Sequence, residues 1–102
     1  MEKKNYDFYI SPIAKESLES IIRYISITLK NVKAADELLD LIYSKIIDIT
    51  LFPFSYPVYE NKFLNSKEIR KTHVKKIMIF YSIDEENKRI IVHGIIHSNI
   101  NK

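Results

Sequence analysis

The chain has 102 residues, 46% apolar and 28% charged, which fits a single domain over residues 1–102 and excludes a disordered chain. It contains no cysteine and one glycine, so disulfides, thiol nucleophiles and glycine-rich phosphate cradles are excluded. The net charge of +3 is unevenly placed: between Lys62 and Lys76, six Lys or Arg (62, 67, 70, 71, 75, 76) stand against the single acid Glu68.

The N-terminal stretch MEKKNYDFYIS lacks the apolar run of a secretory leader, and no later segment is long and apolar enough to span a bilayer. A cytoplasmic location without membrane contact is the expectation. Asn5 to Ile10 alternates, with Tyr6, Phe8 and Ile10 on one side, and predicts a first strand. Ser11-Pro12 predicts a helix start, because serine caps free amides and proline suits the first helical position. Ala14, Leu18, Ile21, Ile22, Ile25 and Leu29 then share one helical stripe, with Glu16, Glu19, Arg23 and Lys30 opposite.

Asn31 predicts the cap of a second helix that runs towards Phe52 and stops at Pro53. Its core stripe is Ala35, Leu38, Leu39, Ile42, Ile46 and Ile49, and Leu41, Tyr43 and Ile47 widen it beyond one buried face. Such a helix is either covered on two sides, by the first helix and a sheet, or presents apolar surface to a partner. Coverage on both sides is the simpler arrangement.

Residues 51–66 form an aromatic connector with two prolines and no period. Phe52, Phe54, Tyr56, Tyr59 and Phe63 are too apolar to hang in water, so the connector is expected to drape over the core, with stacking on nucleic-acid bases the alternative. A basic strand follows, with Lys67, Arg70, Lys71, Lys75 and Lys76 crowded into ten residues. That run favours an anionic partner, nucleic acid or an acidic protein segment, although lysines also guard a solvated edge strand against aggregation. Next comes a strand with Ile77, Ile79, Tyr81 and Ile83 on one face and Lys76, Met78, Phe80 and Ser82 on the other. After a turn at Asp84 to Lys88, Arg89 to Ser98 returns as a strand apolar on both faces: Ile90, Val92, Gly94 and Ile96 on one, Ile91 and Ile95 on the other. That pattern predicts a central strand.

The histidines do not assemble a metal site. His93 and His97 are four strand positions apart, roughly 13 Å at about 3.3 Å per residue, too far for one zinc with bonds near 2 Å. No cofactor is implied. RNA cleavage by general acid–base chemistry needs a base, an acid and cations for the developing phosphorane charge. Arg70, Lys71 and Lys76 are candidate cations, His97 a proton donor near neutral pH, and Glu60 or Glu68 a base.

A strand ending in Ser-Pro, an Ala three residues after the Ser, and two helices closing at Phe52-Pro53 resemble the RelE/ParE toxin superfamily. IRKTHVKKIMIFYSID is similar to that family's run from a strand-two arginine to its third strand, and VHGIIHSN resembles its last strand. The resemblance covers nearly the whole chain and implies an α+β fold: an N-terminal strand, a helical hairpin, then a three-stranded antiparallel β-sheet. It implies the toxin of a bacterial type II toxin–antitoxin system, an inhibitor of growth.

Carried over residue by residue, Arg70 matches the strand-two arginine, Tyr81 the second aromatic of strand three and His97 the strand-four histidine. Where the mRNA-cleaving branch has a strand-three arginine, this chain has Met78 and Ile79. Its C-terminus, Ser98-Asn99-Ile100-Asn101-Lys102, lacks that branch's terminal Arg and Tyr. Loss of a phosphate-binding cation weakens catalysis of phosphoryl transfer, so the chain resembles the ParE branch, whose members poison DNA gyrase. The alternatives are a ribosome-dependent mRNA endonuclease using Arg70 and His97, or a degenerate antitoxin-binding module without toxicity. The partners implied are a cognate antitoxin, gyrase or ribosome-bound mRNA as target, and operator DNA only through the antitoxin complex. Arg70, Lys71, Lys75 and Lys76 are the expected contacts to target or nucleic acid. Leu41, Tyr43 and Ile47 are the expected antitoxin contacts.

Overall fold

Ser11 turns the first strand into the first helix. Its amide donates to the Val92 carbonyl at 3.0 Å, its hydroxyl donates to the His93 carbonyl at 3.4 Å, and the same oxygen caps the Ala14 amide at 3.2 Å. In the structure, a computed structural model that describes residues 5–59 and 68–98, strand β1 is Asp7–Ile10. Helix α1 is Pro12–Arg23, followed by a π-helical turn at Tyr24–Thr28. Helix α2 is Val32–Leu51, and strands β2 (Arg70–Val74), β3 (Ile77–Asp84) and β4 (Arg89–His97) close the chain. The parts of the sequence reading that rest on Glu60, Lys62, Phe63, Lys67 and residues 99–102 lie outside the described residues.

The expected hairpin of helices is present, but the sheet has four strands in the order β1-β4-β3-β2. The N-terminal strand is not separate: it pairs in parallel with β4, Phe8 opposite Ile90 and Ile10 opposite Val92. Arg89 fastens this edge by two bonds to the Asp7 carboxylate, at 3.0 and 3.3 Å. Strands β2, β3 and β4 are antiparallel, as expected, and β4 is central between β1 and β3.

One helix face and one sheet face make the core. Ala14, Leu18 and Ile21 of α1 and Ile42, Ile46 and Ile49 of α2 pack on Ile77, Ile79, Tyr81, Ile90, Val92 and Ile95. A fully buried aliphatic side chain contributes roughly 1.5–3 kcal/mol, whereas a β-branched residue in a helix gives up at most about 0.7 kcal/mol. The isoleucine stripe of α2 therefore outweighs its own poor helix propensity. Asn31 caps that helix, accepting from the Ala34 amide at 3.0 Å.

Two local irregularities shift what alternation predicts. In β4, Gly94 faces Phe80 while Val92 faces Tyr81, leaving His93 as an extra residue in a β-bulge. The bulge reverses the parity of β4, so Ile95 joins Ile90 and Val92 in the core and Ile96 is turned outward, 39% exposed. The expected partition of β4 faces is corrected accordingly. In the helical hairpin, the π turn inserts part of an extra residue and rotates Leu29 off the α1 stripe, leaving it 54% exposed.

With its one glycine placed in β4, the chain turns on lysines. Lys30, Lys75 and Lys88 have φ of 53°, 53° and 54°, each in the left-handed region at a cost of about 1 kcal/mol. At the last of these turns, Asp84 accepts from the Asn87 amide and side chain. The Asn87 bonds hold its carboxyl below the usual carboxylate range.

Replacing Ser11 by alanine removes the α1 cap and the bond to the His93 carbonyl. The expected loss is about 1–2 kcal/mol of unfolding free energy, read as a lower urea midpoint at unchanged slope.

Candidate functional site

The described part of the aromatic connector, through Tyr59, is pinned by named bonds and packs Tyr56 against the core, but Phe52 and Phe54 stay 60% and 52% exposed, so the expected draping is only partial. The Tyr81 hydroxyl, fully buried, donates to the Pro53 carbonyl at 2.7 Å. The Tyr56 hydroxyl donates to Asp48 at 2.6 Å and accepts from Lys45 at 3.3 Å. Val58 bridges Arg70 in antiparallel fashion, with the Tyr59 amide bound to the Ile69 carbonyl and the Lys71 amide to the Pro57 carbonyl. The outer edge of β2 is therefore covered by the connector at its start, Arg70 and Lys71.

Arg70 is the side chain that closes this clamp. Its guanidinium donates to the Tyr56 carbonyl at 2.7 Å, lies over the Phe54 ring at 5.1 Å and approaches Glu68 at 3.9 Å, with 14% of the side chain exposed. The adjoining cleft is lined by Phe54, Glu68, Arg70, Ser82, Asp84 and Glu85. Three carboxylates against one guanidinium give that cleft a negative balance, which disfavours a phosphodiester.

Register separates the two residues expected to share a ribonuclease centre. Arg70 faces Tyr81, and His97 faces Ile77, four positions away on β3. That is about 13 Å along the strand, with roughly 10 Å more across it because β2 and β4 flank β3 on opposite sides. The structure does not bring Arg70 and His97 together. Nor do His93 and His97 share a face: His97 aligns with Ile77 towards the helices, while His93 Nε2 lies 2.8 Å from Ser82 Oγ on the other face. Among the described residues no group of three His, Cys, Asp or Glu is poised to hold a metal.

The face of the sheet away from the helices carries a different set. Lys71 lies opposite Phe80 and His73 opposite Met78. The Lys71 ammonium sits 5.1 Å from the Tyr59 ring centroid, and Tyr59 meets Phe80 edge-on with centroids 5.2 Å apart. Lys75 and Lys76 are exposed at the turn ending β2, where the Lys76 carbonyl accepts from the Ser98 amide. Lys71, Lys75 and Lys76 are thus presented at the surface, whereas Arg70 is occupied in the clamp. His73 and the Tyr59–Phe80 pair were not singled out from sequence. The alternation Lys71-Thr72-His73 was a readable sign for the histidine, but Tyr59 reaches Phe80 only through the fold.

The expected antitoxin contacts divide between two flanks of α2. At about 100° per residue, Tyr43 and Ile47 are one turn apart, while Leu41 lies more than 110° from either. Leu41, Tyr43 and Ile47 are 40%, 39% and 49% exposed, so the coverage on both sides expected for α2 is incomplete. Tyr43 packs on Phe8, ring centroids 6.4 Å apart, and lines a groove between the two helices. Leu18, Ile22 and Leu39 complete its apolar lining, and Lys15 and Arg23, against the single acid Glu19, leave it a positive balance.

The buried Tyr81 hydroxyl is pushed up from 10.0 to about 12, chiefly by desolvation, with the nearby Arg70 charge opposing. A phenol raised in the folded state stabilises fully below pH 10 and loses that contribution as pH rises towards 12. Tyr81→Phe is expected to cost about 1–2 kcal/mol at neutral pH, because the Pro53 carbonyl loses its donor. The variant's stability is also expected to fall less steeply between pH 10 and 12, as measured by urea unfolding.

Comparison with known proteins places the chain in a family and finds solved structures of similar fold. A family model described as the ParE toxin of type II toxin–antitoxin systems, parDE, matches residues 8–101. Among solved structures, the fold is similar to the RelBE2 toxin–antitoxin complex from Mycobacterium tuberculosis, with a TM-score of 0.63 at 12% identity. That match covers 92% of this chain and 99% of that one. No curated protein matches the sequence.

Proposed function

This chain belongs to the ParE toxin family of type II toxin–antitoxin systems, and we propose that it arrests growth in the cytoplasm by binding and poisoning DNA gyrase, without hydrolysing RNA. The observation that carries this reading is the placement of Arg70. Its guanidinium is committed to the Tyr56 carbonyl and the Phe54 ring, and His97 lies four β3 positions away. Acid–base cleavage at one phosphate needs its cation and its proton donor within hydrogen-bond reach of the same group. A toxin that acts by occupancy needs only surface, and Lys71, Lys75 and Lys76 supply it with the sign that attracts an anionic protein patch. Arg70 then acts as a positioning residue, holding β2 so that the neighbouring lysines project.

The partner in this reading is a cognate antitoxin whose tail folds on binding. Its apolar side chains fit the groove between α1 and α2 beside Tyr43, and its acidic ones fit Lys15 and Arg23. Ile47 extends that surface by one turn. Leu41, on the other flank of α2, would need a second segment of the same tail. Operator DNA is reached only through the antitoxin complex.

The test is pulse-labelling after sudden expression of the chain without antitoxin. Thymidine incorporation is expected to fall before amino-acid incorporation. The reverse order would return mRNA cleavage to the front and make His97 the residue to substitute. Under the gyrase reading, the combined variant Lys71→Glu, Lys75→Glu, Lys76→Glu is expected to raise the dose for growth arrest roughly tenfold or more, with the protein level held equal by immunoblot.

A further inference from the structure

The end of the helical hairpin carries a second charged and apolar surface that the basic strand does not explain. Between Glu19 and Asp36 there is no acidic residue, while Arg23, Lys30 and Lys33 all fall there. Within the same stretch Tyr24, Ile27, Leu29 and Val32 are 43%, 64%, 54% and 62% exposed. None of the five residues of the π turn is buried, and only Ile25 among them packs against the core. The turn is held by its own backbone, with the Leu29 amide bound to the Tyr24 carbonyl and the Asn31 amide to the Ile25 carbonyl. Lys30 completes the reversal at a φ of 53°.

This arrangement runs against ordinary helix economy. An uninterrupted α-helix would carry Leu29 round with Ile22 and Ile25 on the inward stripe. The π turn departs from that stripe, and Leu29 is exposed at this end of the hairpin, as are Ile27 before it and Val32 after the reversal. π turns inside helices recur at functional positions, and several large exposed aliphatics at one end of a helical hairpin, with cations near them, mark an interaction surface.

We propose that this hairpin tip is the element that enters the toxin's target, and that the target offers an apolar pocket rimmed by carboxylates. The inference rests on the chain acting as a toxin, but not on which target it acts on. Three features select the occupant. The tip is the projecting end of two helices, so it fits a pocket, whereas a ligand helix lies along a groove such as the one between α1 and α2. Its charged side chains between Glu19 and Asp36, namely Arg23, Lys30 and Lys33, are all cationic, which selects a negative rim. Its apolar residues are interrupted by Ser26, Thr28 and Asn31, a polar content that suits a protein surface better than hydrocarbon. An anionic bilayer is therefore the less suitable surface.

The experiment compares growth arrest by the wild-type chain and by the variant Ile27→Ser, Leu29→Ser, Val32→Ser, at equal protein level and with thermal midpoints of both measured. All three positions are more than half exposed, so the midpoint is expected to stay within a few degrees. The dose for arrest is expected to rise at least tenfold. A second variant, Lys30→Glu with Lys33→Glu, alters only exposed charges and is expected to raise the dose several-fold even if the first accumulates poorly. Unchanged arrest by both variants, beside a toxic wild type, overturns the tip assignment and leaves the toxin reading standing. A wild type that does not arrest growth overturns the toxin reading, and the tip assignment with it. Sedimentation of the wild type, but not the tip variants, with vesicles of mixed neutral and anionic phospholipid would also overturn the tip assignment, by making the surface a membrane contact.

Discussion

The hydrogen bond from the Tyr81 hydroxyl to the Pro53 carbonyl joins the end of the helical hairpin to the middle of the sheet. Tyr81 is fully buried, and a phenol there must find an acceptor or forfeit its hydration. Pro53 ends α2 and its carbonyl has no helical partner to accept. The two unmet needs answer each other, and the connector is fixed where it leaves the helix. From that point Tyr56 reaches Asp48 and Arg70, Val58 pairs with β2, and Tyr59 crosses to the open face. The start of the β2 edge, an aggregation hazard if bare, is covered as a consequence.

This clamp sorts the basic residues into two kinds. Arg70 alternates towards the helices and is consumed in holding the connector, in a setting where carboxylates outnumber it. Lys71 alternates outward and lies above the Tyr59 ring, while Lys75 and Lys76 form the turn. Strand β2 and the turn after it thus contribute one structural cation and a set of presented ones. The distinction bears directly on mechanism: presented lysines suit recognition of an anionic surface, and a committed guanidinium does not suit stabilisation of a phosphorane. The helical hairpin extends the same division, with an apolar groove along its length and a positively charged tip at its end.

Local chemistry was legible in the sequence. Ser11-Pro12, Asn31 and Pro53 mark helix ends because capping and proline sterics act within a few residues. Tyr6, Phe8 and Ile10 could be read as one packed face for the same reason. The aromatic connector's attachment to the core was suggested by its composition, but the exposure of Phe52 and Phe54 was not, nor were its anchors, since Tyr81 and Pro53 are 28 residues apart. The bulge at His93 was hidden because a bulge is a property of the pair β3–β4, and alternation along β4 alone assigns Ile95 and Ile96 to the wrong faces. Parallel pairing of β1 likewise needs the other strands in place. For the candidate site, residue types pointed to Arg70 and His97, and only the register placed them apart. The charge run located Lys71, Lys75 and Lys76, while the tip at Ile27, Leu29 and Val32 was concealed by a π turn that periodicity cannot see.

The central claim is that the toxin works by occupying gyrase and performs no chemistry. The most direct measurement is the supercoiling of relaxed plasmid by purified bacterial gyrase, titrated with the purified chain. The account predicts loss of supercoiling with accumulation of linear DNA when protein is denatured and digested, the mark of trapped cleavage complexes. Undiminished supercoiling at large molar excess, with transcripts cut in a translating extract by the same preparation, would contradict it.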